Sequence, residues 1–226
     1  QAQLGGKNFT GKIYAISKGC SSEDGSSVKK SYETILANNG GAASMTTLTS
    51  TDFATVTTAS DKGMYKAQDD LGTSYYFRGA VDNNWVKYGK YTKDTFITAD
   101  SNYNYSLVES CDGLELCAKL ASKGDDIYWR IIRINGDNSI RMIYTGTSAP
   151  DNNTKVVMTE NTNSSGYIRA TSAGFSKFNR NSESAEYVGY MYEIGQQHGT
   201  SKSSDIKTYL DNWYANYTDL NKTGTK

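Results

Sequence analysis

Proline occurs once in 226 residues, histidine once and cysteine three times. The single proline, Pro150, and the lack of any repeat at a fixed period argue against mucin-like stalks and solenoids. The single histidine lies in Gln196-Gln197-His198-Gly199-Thr200. A Ser–His–Asp or Cys–His site would need it beside a nucleophile, and no Gly-x-Ser-x-Gly elbow is present. His198 therefore reads as a loop residue, and one histidine with scattered cysteines argues against a structural zinc site. No apolar run approaches the roughly 18 residues that a membrane span needs, and no signal sequence opens the chain. Charge of one sign is also missing: 24 basic residues balance 24 acidic ones and no basic tract occurs. Binding to nucleic acid by phosphate neutralisation is not expected. Gly-rich phosphate cradles are absent too, since Gly40-Gly41 follows an expected helix instead of opening one.

What the chain does have is tyrosine, 18 against six phenylalanines, among many Ser, Thr, Asn and Gly. Tyrosine supplies apolar area with a polar handle, which suits exposed binding or packing faces. The length allows one large domain or two small ones. Cys111 and Cys117 can close a short disulfide loop in an oxidising compartment, or all three thiols stay free or buried; Cys20 is left without a partner. A start at Gln1-Ala2-Gln3 is expected of a processed mature form or of a chain trimmed of its leader.

The strongest local pattern is Tyr128 to Tyr144, two β-rich runs around Gly136-Asp137. With those two as loop residues, Ile134 faces Ser139 and Trp129 faces Tyr144. Trp129, Ile131, Ile140, Met142 and Tyr144 then share one face, and Ile132, Ile134 and Ile143 the other. Both faces are apolar, which predicts a hairpin in the middle of a domain. Upstream, Lys12-Ile13-Tyr14-Ala15-Ile16 reads as a leading strand. A short helix follows, with Val28, Tyr32, Ile35 and Leu36 on one face, ending at Asn38-Asn39-Gly40-Gly41. Residues 42–62 read as an extended connector. Gly72–Gly79 reads as a strand with Asn84–Tyr88 as its partner, 91–105 as turn-rich, and Leu114–Ser122 as a helix. Residues 145–185 read as mostly loop, with a short strand at Lys155–Thr159. Ser203 or Ser204 caps a final helix whose Ile206, Leu210, Trp213 and Tyr217 recur at helical spacing. The expected organisation is a leading strand and helix over 1–41, open to exchange with a neighbour, and a main α+β domain over 42–226.

The run Asp69-Asp70-Leu71-Gly72-Thr73-Ser74-Tyr75-Tyr76-Phe77-Arg78-Gly79-Ala80-Val81-Asp82-Asn83-Asn84-Trp85-Val86-Lys87-Tyr88-Gly89, followed by Tyr128 to Gly146, resembles a family of uncharacterised surface proteins of gut-dwelling Firmicutes and their wall-less relatives. Glu186 to Tyr192 and Ile206 to Tyr214 are similar to that family in the same order, so the likeness runs from about Thr34 to Tyr217. More distantly, Trp129-Arg130-Ile131, the hairpin and the Ile206–Tyr214 helix resemble bacterial C-type-lectin-like domains, relatives of the formylglycine-generating enzymes. The resemblance implies an α+β fold: a twisted antiparallel sheet with a central hairpin and flanking helices. The cysteine arrangement of the formylglycine-generating enzymes is not found, so their oxidase activity is not carried over. Family members continue past the final helix with a Cys-containing segment, whereas this sequence stops at Lys226.

Asp69-Asp70 and Asp125-Asp126 are paired carboxylates of the kind glycosidases use. Adjacent residues point apart on a strand, and both pairs lie beside glycine turns, so they read as solvated turn acids. Asp100-x-Asn102-x-Asn104 opens like a calcium loop but has Tyr105 at the sixth position and Cys111 at the twelfth, which fails the EF-hand pattern and leaves only loose calcium coordination. Tyr75 and Phe77 should share one strand face and Tyr76 and Arg78 the other. With one face in the core, Tyr76, Arg78 and Trp85 are the ligand-binding candidates, stacking on sugar rings. Lys12, Ile13, Tyr14 and Ile16 are the candidates for strand exchange. The expected function is a secreted or cell-surface bacterial protein that binds or assembles without catalysis, as an adhesin-like module or an extracellular filament subunit. Its expected partners are itself, another surface protein or a glycan. An enzyme on a formylglycine-generating or glycosidase-like scaffold is the alternative.

Overall fold

The computed structural model describes residues 31–49, 63–150 apart from 80, 82 and 103, 158–171 apart from 164 and 165, and 174–220 apart from 175, 180, 182, 183 and 198. The expected leading strand with Lys12, Ile13, Tyr14 and Ile16 lies outside these residues, as do Cys20 and His198. The fold is a sheet-rich α+β arrangement, mostly antiparallel, with few helices. No helix of the described residues is long and apolar enough to cross a membrane. The chain divides into two compact units, 1–84 with 131–143, and 85–130 with 144–226.

In the first unit, α1 (Ser31–Asn38) ends where the amide of Gly41 donates to the carbonyl of Leu36 at 2.8 Å, both Gly40 and Gly41 having positive φ. Glycine takes that conformation at no steric cost, so Asn39-Gly40-Gly41 stops the helix. Strands β1 (Gly63–Asp69) and β2 (Gly72–Arg78) form a hairpin in which Met64 faces Phe77 and Tyr65 faces Tyr76. Asp69 holds the turn, its carboxylate accepting the Leu71 amide at 2.9 Å and the Ser74 hydroxyl. Met64, Ile134, Leu36 and Met45 form the core of this unit, with Tyr75, Phe77 and Ile140 packed against it. Each such buried side chain contributes about 1.5–3 kcal/mol.

The sequence pattern missed β1 and gave β2 the wrong neighbour. Strand β3 (Trp85–Lys90) does not pair with β2; both pair with β7 (Asp126–Ile134), β2 through 133–134 and β3 through 126–130. Asn84, just before β3, also bonds both backbone groups of Ile131. The central turn differs as well. Asn135 donates its amide to the Ser139 carbonyl at 2.8 Å, and Asn138 sits at φ 66°. The loop is therefore the three residues 136–138, closed by an asparagine that tolerates left-handed backbone. That one-residue change sets Ile140 against Ile134 in the core, not on the face of Trp129 and Ile131. Ile132 and Ile143 are exposed at 41% and 53%, so of the three isoleucines expected on the second hairpin face only Ile134 is core. Among the described residues, β8 (Ile140–Gly146) has β7 as its one strand neighbour.

In the second unit, β4 (Thr95–Ala99) lies between β5 (Tyr105–Val108) and β6 (Cys117–Ala121), where the sequence pattern predicted turns and then a helix. A disulfide joins Cys111 to Cys117 across the β5–β6 connection. The hairpin of β9 (Met158–Asn163) and β10 (Gly166–Thr171) lies against β6. Two short strands, β11 (Met191–Tyr192) and β12 (Lys202–Ser203), lead into α2 (Asp205–Asn212). Ser204 caps α2, accepting from the Lys207 amide at 3.1 Å, and a π turn continues it over Trp213–Tyr217. Tyr209, Trp213 and Tyr217 form the buried stripe, whereas Leu210, expected to face inward, is 36% exposed. The aromatic centre is Tyr91, Trp129, Tyr144 and Trp213, packed edge to face.

Candidate functional site

The start of β5 and one face of α2 border a cleft in the second unit, about 290 Å³ in volume. The two elements are in contact. One wall comes from Asn104, Tyr105, Ser106 and Leu107 at the start of β5. Alternation along that strand buries Leu107 and turns Ser106 out. The opposite wall is Asp205, Thr208, Tyr209 and Asn212, the i, i+3, i+4, i+7 positions of one α2 face. Ser176 and Lys177 close the end. Leu107 and Tyr209 make the buried floor, and burial pushes the Tyr209 phenol well above its ordinary range.

Hydrogen bonds fix the polar groups. The Lys177 ammonium donates to the Asn102 carbonyl at 2.6 Å and reaches Asn104 Oδ1 at 3.4 Å. Asp100 holds the same turn: its Oδ1 accepts the amides of Asn102 and Asn104 at 2.9 Å each, and its Oδ2 accepts Asn104 Nδ2 at 2.8 Å. The Asn104 hydrogen bonds, and to a smaller extent the Lys177 charge, hold the Asp100 carboxyl below the usual range. Donors and a cation thus already face the one acid of the Asp100–Asn104 stretch that the calcium expectation depends on. Across the cleft, Asn212 Oδ1 accepts from Asn216 Nδ2 at 2.8 Å, which orients its amide. Thr208 donates its hydroxyl to the Ser204 carbonyl at 3.0 Å. Among the described residues, no group of three or more His, Cys, Asp or Glu side chains is placed to hold a metal ion.

The residues singled out from sequence fall elsewhere. Tyr76 and Arg78 belong to the first unit, on the β2 face opposite the core. There the Arg78 guanidinium stacks 5.2 Å over Tyr65, and Arg133 stacks 5.4 Å over Tyr76 while donating to its hydroxyl at 3.1 Å. Trp85 belongs to the second unit, 38% exposed with its ring 5.5 Å from Tyr128. Asp126 binds Lys90 at 3.0 Å and Lys87 at 3.1 Å, which holds its carboxyl low. Asp125 Oδ2 accepts the Ser122 amide at 2.7 Å. Cys111 and Cys117 are not among the cleft residues. Of the cleft residues themselves, only the α2 face was within reach of sequence reasoning, since its polar side is the complement of the apolar stripe. Nothing local in the sequence says that β5, which begins where the turn-rich reading of 91–105 ends, would oppose it. Comparison with protein-family models, with curated proteins and with solved structures finds no match for this chain.

Proposed function

We propose that this chain is a secreted or cell-surface bacterial protein that works by binding or by assembly. The observation that carries the reading is the β5–α2 cleft, where the described residues set amides, hydroxyls, Asp205 and Lys177 beside the apolar surface of Leu107, Tyr105 and Tyr209. Such groups recognise a partner by directed hydrogen bonds. A C-type-lectin-like arrangement is the finer form of the sheet-rich α+β fold that the motifs around Trp129 suggest. The Cys111–Cys117 disulfide fits an oxidising, extracellular location.

Assembly by strand addition is the second reading, favoured by β8. Its outer edge has no strand neighbour among the described residues, and Ile143 stands exposed on it. A donor strand would pair along that edge, and Lys12 to Ile16 is the segment of this sequence that reads as one. Negative-stain microscopy of the concentrated full chain, together with a glycan array probed with the labelled chain, tests both forms. Fibres or bound glycans support the proposal. Monodisperse particles together with a blank array overturn it and return the enzymatic alternative to first place.

A further inference from the structure

We propose that the outward face of the β3–β7 ladder binds a carboxylated sugar, with the ring on Trp85 and Tyr128 and the carboxylate on Lys87 and Lys90. This face belongs to the second unit and shares none of the residues named for the β5–α2 cleft. It therefore goes beyond the reading above and is tested apart from it. Alternation makes the face. Along β7, Ile127 and Trp129 are buried, which turns Asp126, Tyr128 and Arg130 outward. Across the ladder Trp85 stands opposite Arg130 and Lys87 opposite Tyr128, and both β3 side chains are exposed. Trp129 and Trp213 are buried at 7% and 8%, against 38% for Trp85, so Trp85 is the tryptophan left facing solvent. Its ring lies 5.5 Å from that of Tyr128, tilted by 55°. Two such rings offer apolar faces to the C–H side of a sugar.

A bulge places the charges. Regular pairing after Lys87–Tyr128 would bring Gly89 opposite Asp126, yet Lys90 takes that place. The one-residue shift, with Gly89 at φ 87°, turns Lys90 to the side of Lys87, where strict alternation would put it on the other face. Both ammoniums then reach one carboxylate, Lys87 at 3.1 Å to Asp126 Oδ2 and Lys90 at 3.0 Å to Oδ1. Each ammonium carries three N–H donors, and Asp126 neutralises only one of the two charges. The pair thus keeps donors and positive charge for a second carboxylate. Lys87 sits across from Tyr128 at a Cβ spacing of about 5 Å, within reach of a carboxylate attached to a ring stacked there. A neutral sugar leaves the charge unmatched, and a small anion leaves the rings unused. Arg130 has an interaction of its own and is given no role here.

The test is an amide chemical-shift titration of the full chain with glucuronic acid, galacturonic acid and N-acetylneuraminic acid. Glucose and galactose control for the charge, and acetate for the ring. At least one carboxylated sugar should move amides of residues 85–90 and 126–130, with an affinity on the order of millimolar that weakens as salt is added. The controls should bind about tenfold more weakly or not at all. Trp85→Ala should weaken binding about tenfold and Lys87→Gln about threefold. Asp126→Asn, which releases both ammoniums, should instead strengthen it about threefold. Lys87→Gln lies at an exposed position and keeps the test decisive should Trp85→Ala unfold. Silence of these amides toward every carboxylated sugar overturns the proposal, as does equal binding of glucose or acetate, or weaker binding by Asp126→Asn. Shifts confined to the β5–α2 cleft also overturn it, while leaving the binding reading above in place.

Discussion

Tyr91 shows how one side chain organises the second unit. It is 2% exposed, and its hydroxyl accepts from Trp213 Nε1 at 3.1 Å and shares a 2.9 Å hydrogen bond with Tyr144. Burial raises its phenol above the ordinary range, so it stays a neutral donor and acceptor at any physiological pH. Tyr91→Phe keeps the ring but leaves the Trp213 N–H without that acceptor. The expected loss is about 1–3 kcal/mol, read as a lower denaturation midpoint. Gly136 in the first unit is constrained by its surroundings. An added Cβ would meet the backbone of Leu71 at 2.6 Å and of Gly72 at 2.7 Å, so the central turn can touch the β1–β2 turn only through glycine. Gly136→Ala should destabilise by about 1–3 kcal/mol, with the backbone forced to move; urea denaturation checks it. Both effects depend on residues far apart in sequence.

Strand β6 illustrates a conflict between local preference and pairing. Leu114 to Ser122 reads as a helix because Leu, Glu, Ala and Lys favour one. In the structure Cys117 is tied back to Cys111, and residues 117–121 pair with β4. Buried Cys117, Ala118 and Ala121 flank exposed Lys119. The disulfide and the ladder together outweigh a helix propensity worth only tenths of a kcal/mol per residue. Reduction should therefore lower stability by about 2 kcal/mol, the chain-entropy estimate for so short a loop, seen as a fall in melting temperature with added thiol. The start of α2 went the other way, since Ser204 was legible as a cap from sequence. Ser204→Ala should cost about 1–2 kcal/mol, because the Lys207 amide loses its acceptor. A matching loss of far-ultraviolet helical signal on mild heating would verify that the effect begins at α2.

Across the whole chain the charges balance by number, and among the described residues three carboxyls are held below their ordinary range. The Ser74 hydroxyl lowers Asp69, the Asn104 hydrogen bonds lower Asp100, and Lys90 with Lys87 lowers Asp126. A carboxyl depressed in the folded state adds stability that is complete above its unfolded value near 4 and is lost as pH falls through the folded value. The melting temperature should thus hold from neutral pH to about 4 and drop below it, less steeply in Asp126→Asn. The raised Lys87, Lys93 and Lys207 work at the other end, adding stability below about pH 10 that is lost as pH rises through their folded values. These groups are exposed or half-buried, so added salt should flatten both limbs. A profile that keeps its full acid drop in Asp126→Asn would remove that ion pair from the account.

The amino-acid order by itself determined what periodicity and turn chemistry can encode. It set the β7–β8 hairpin, the cap of the final helix with the burial of Trp213 and Tyr217, the glycine stop of α1, and the sorting of Tyr75 from Tyr76. Those features depend on neighbours within a few residues, where sterics and alternation act directly. Only the tertiary structure decided which strands pair, because β2 and β3 both pair with β7, at separate stretches of it, from positions about 50 residues away. It also decided that Ile140 turns inward on a three-residue loop, and that β5 stands opposite α2 to shape a cleft from residues more than 100 positions apart. Such a cleft is a product of packing between distant segments, and packing leaves no local trace in the chain.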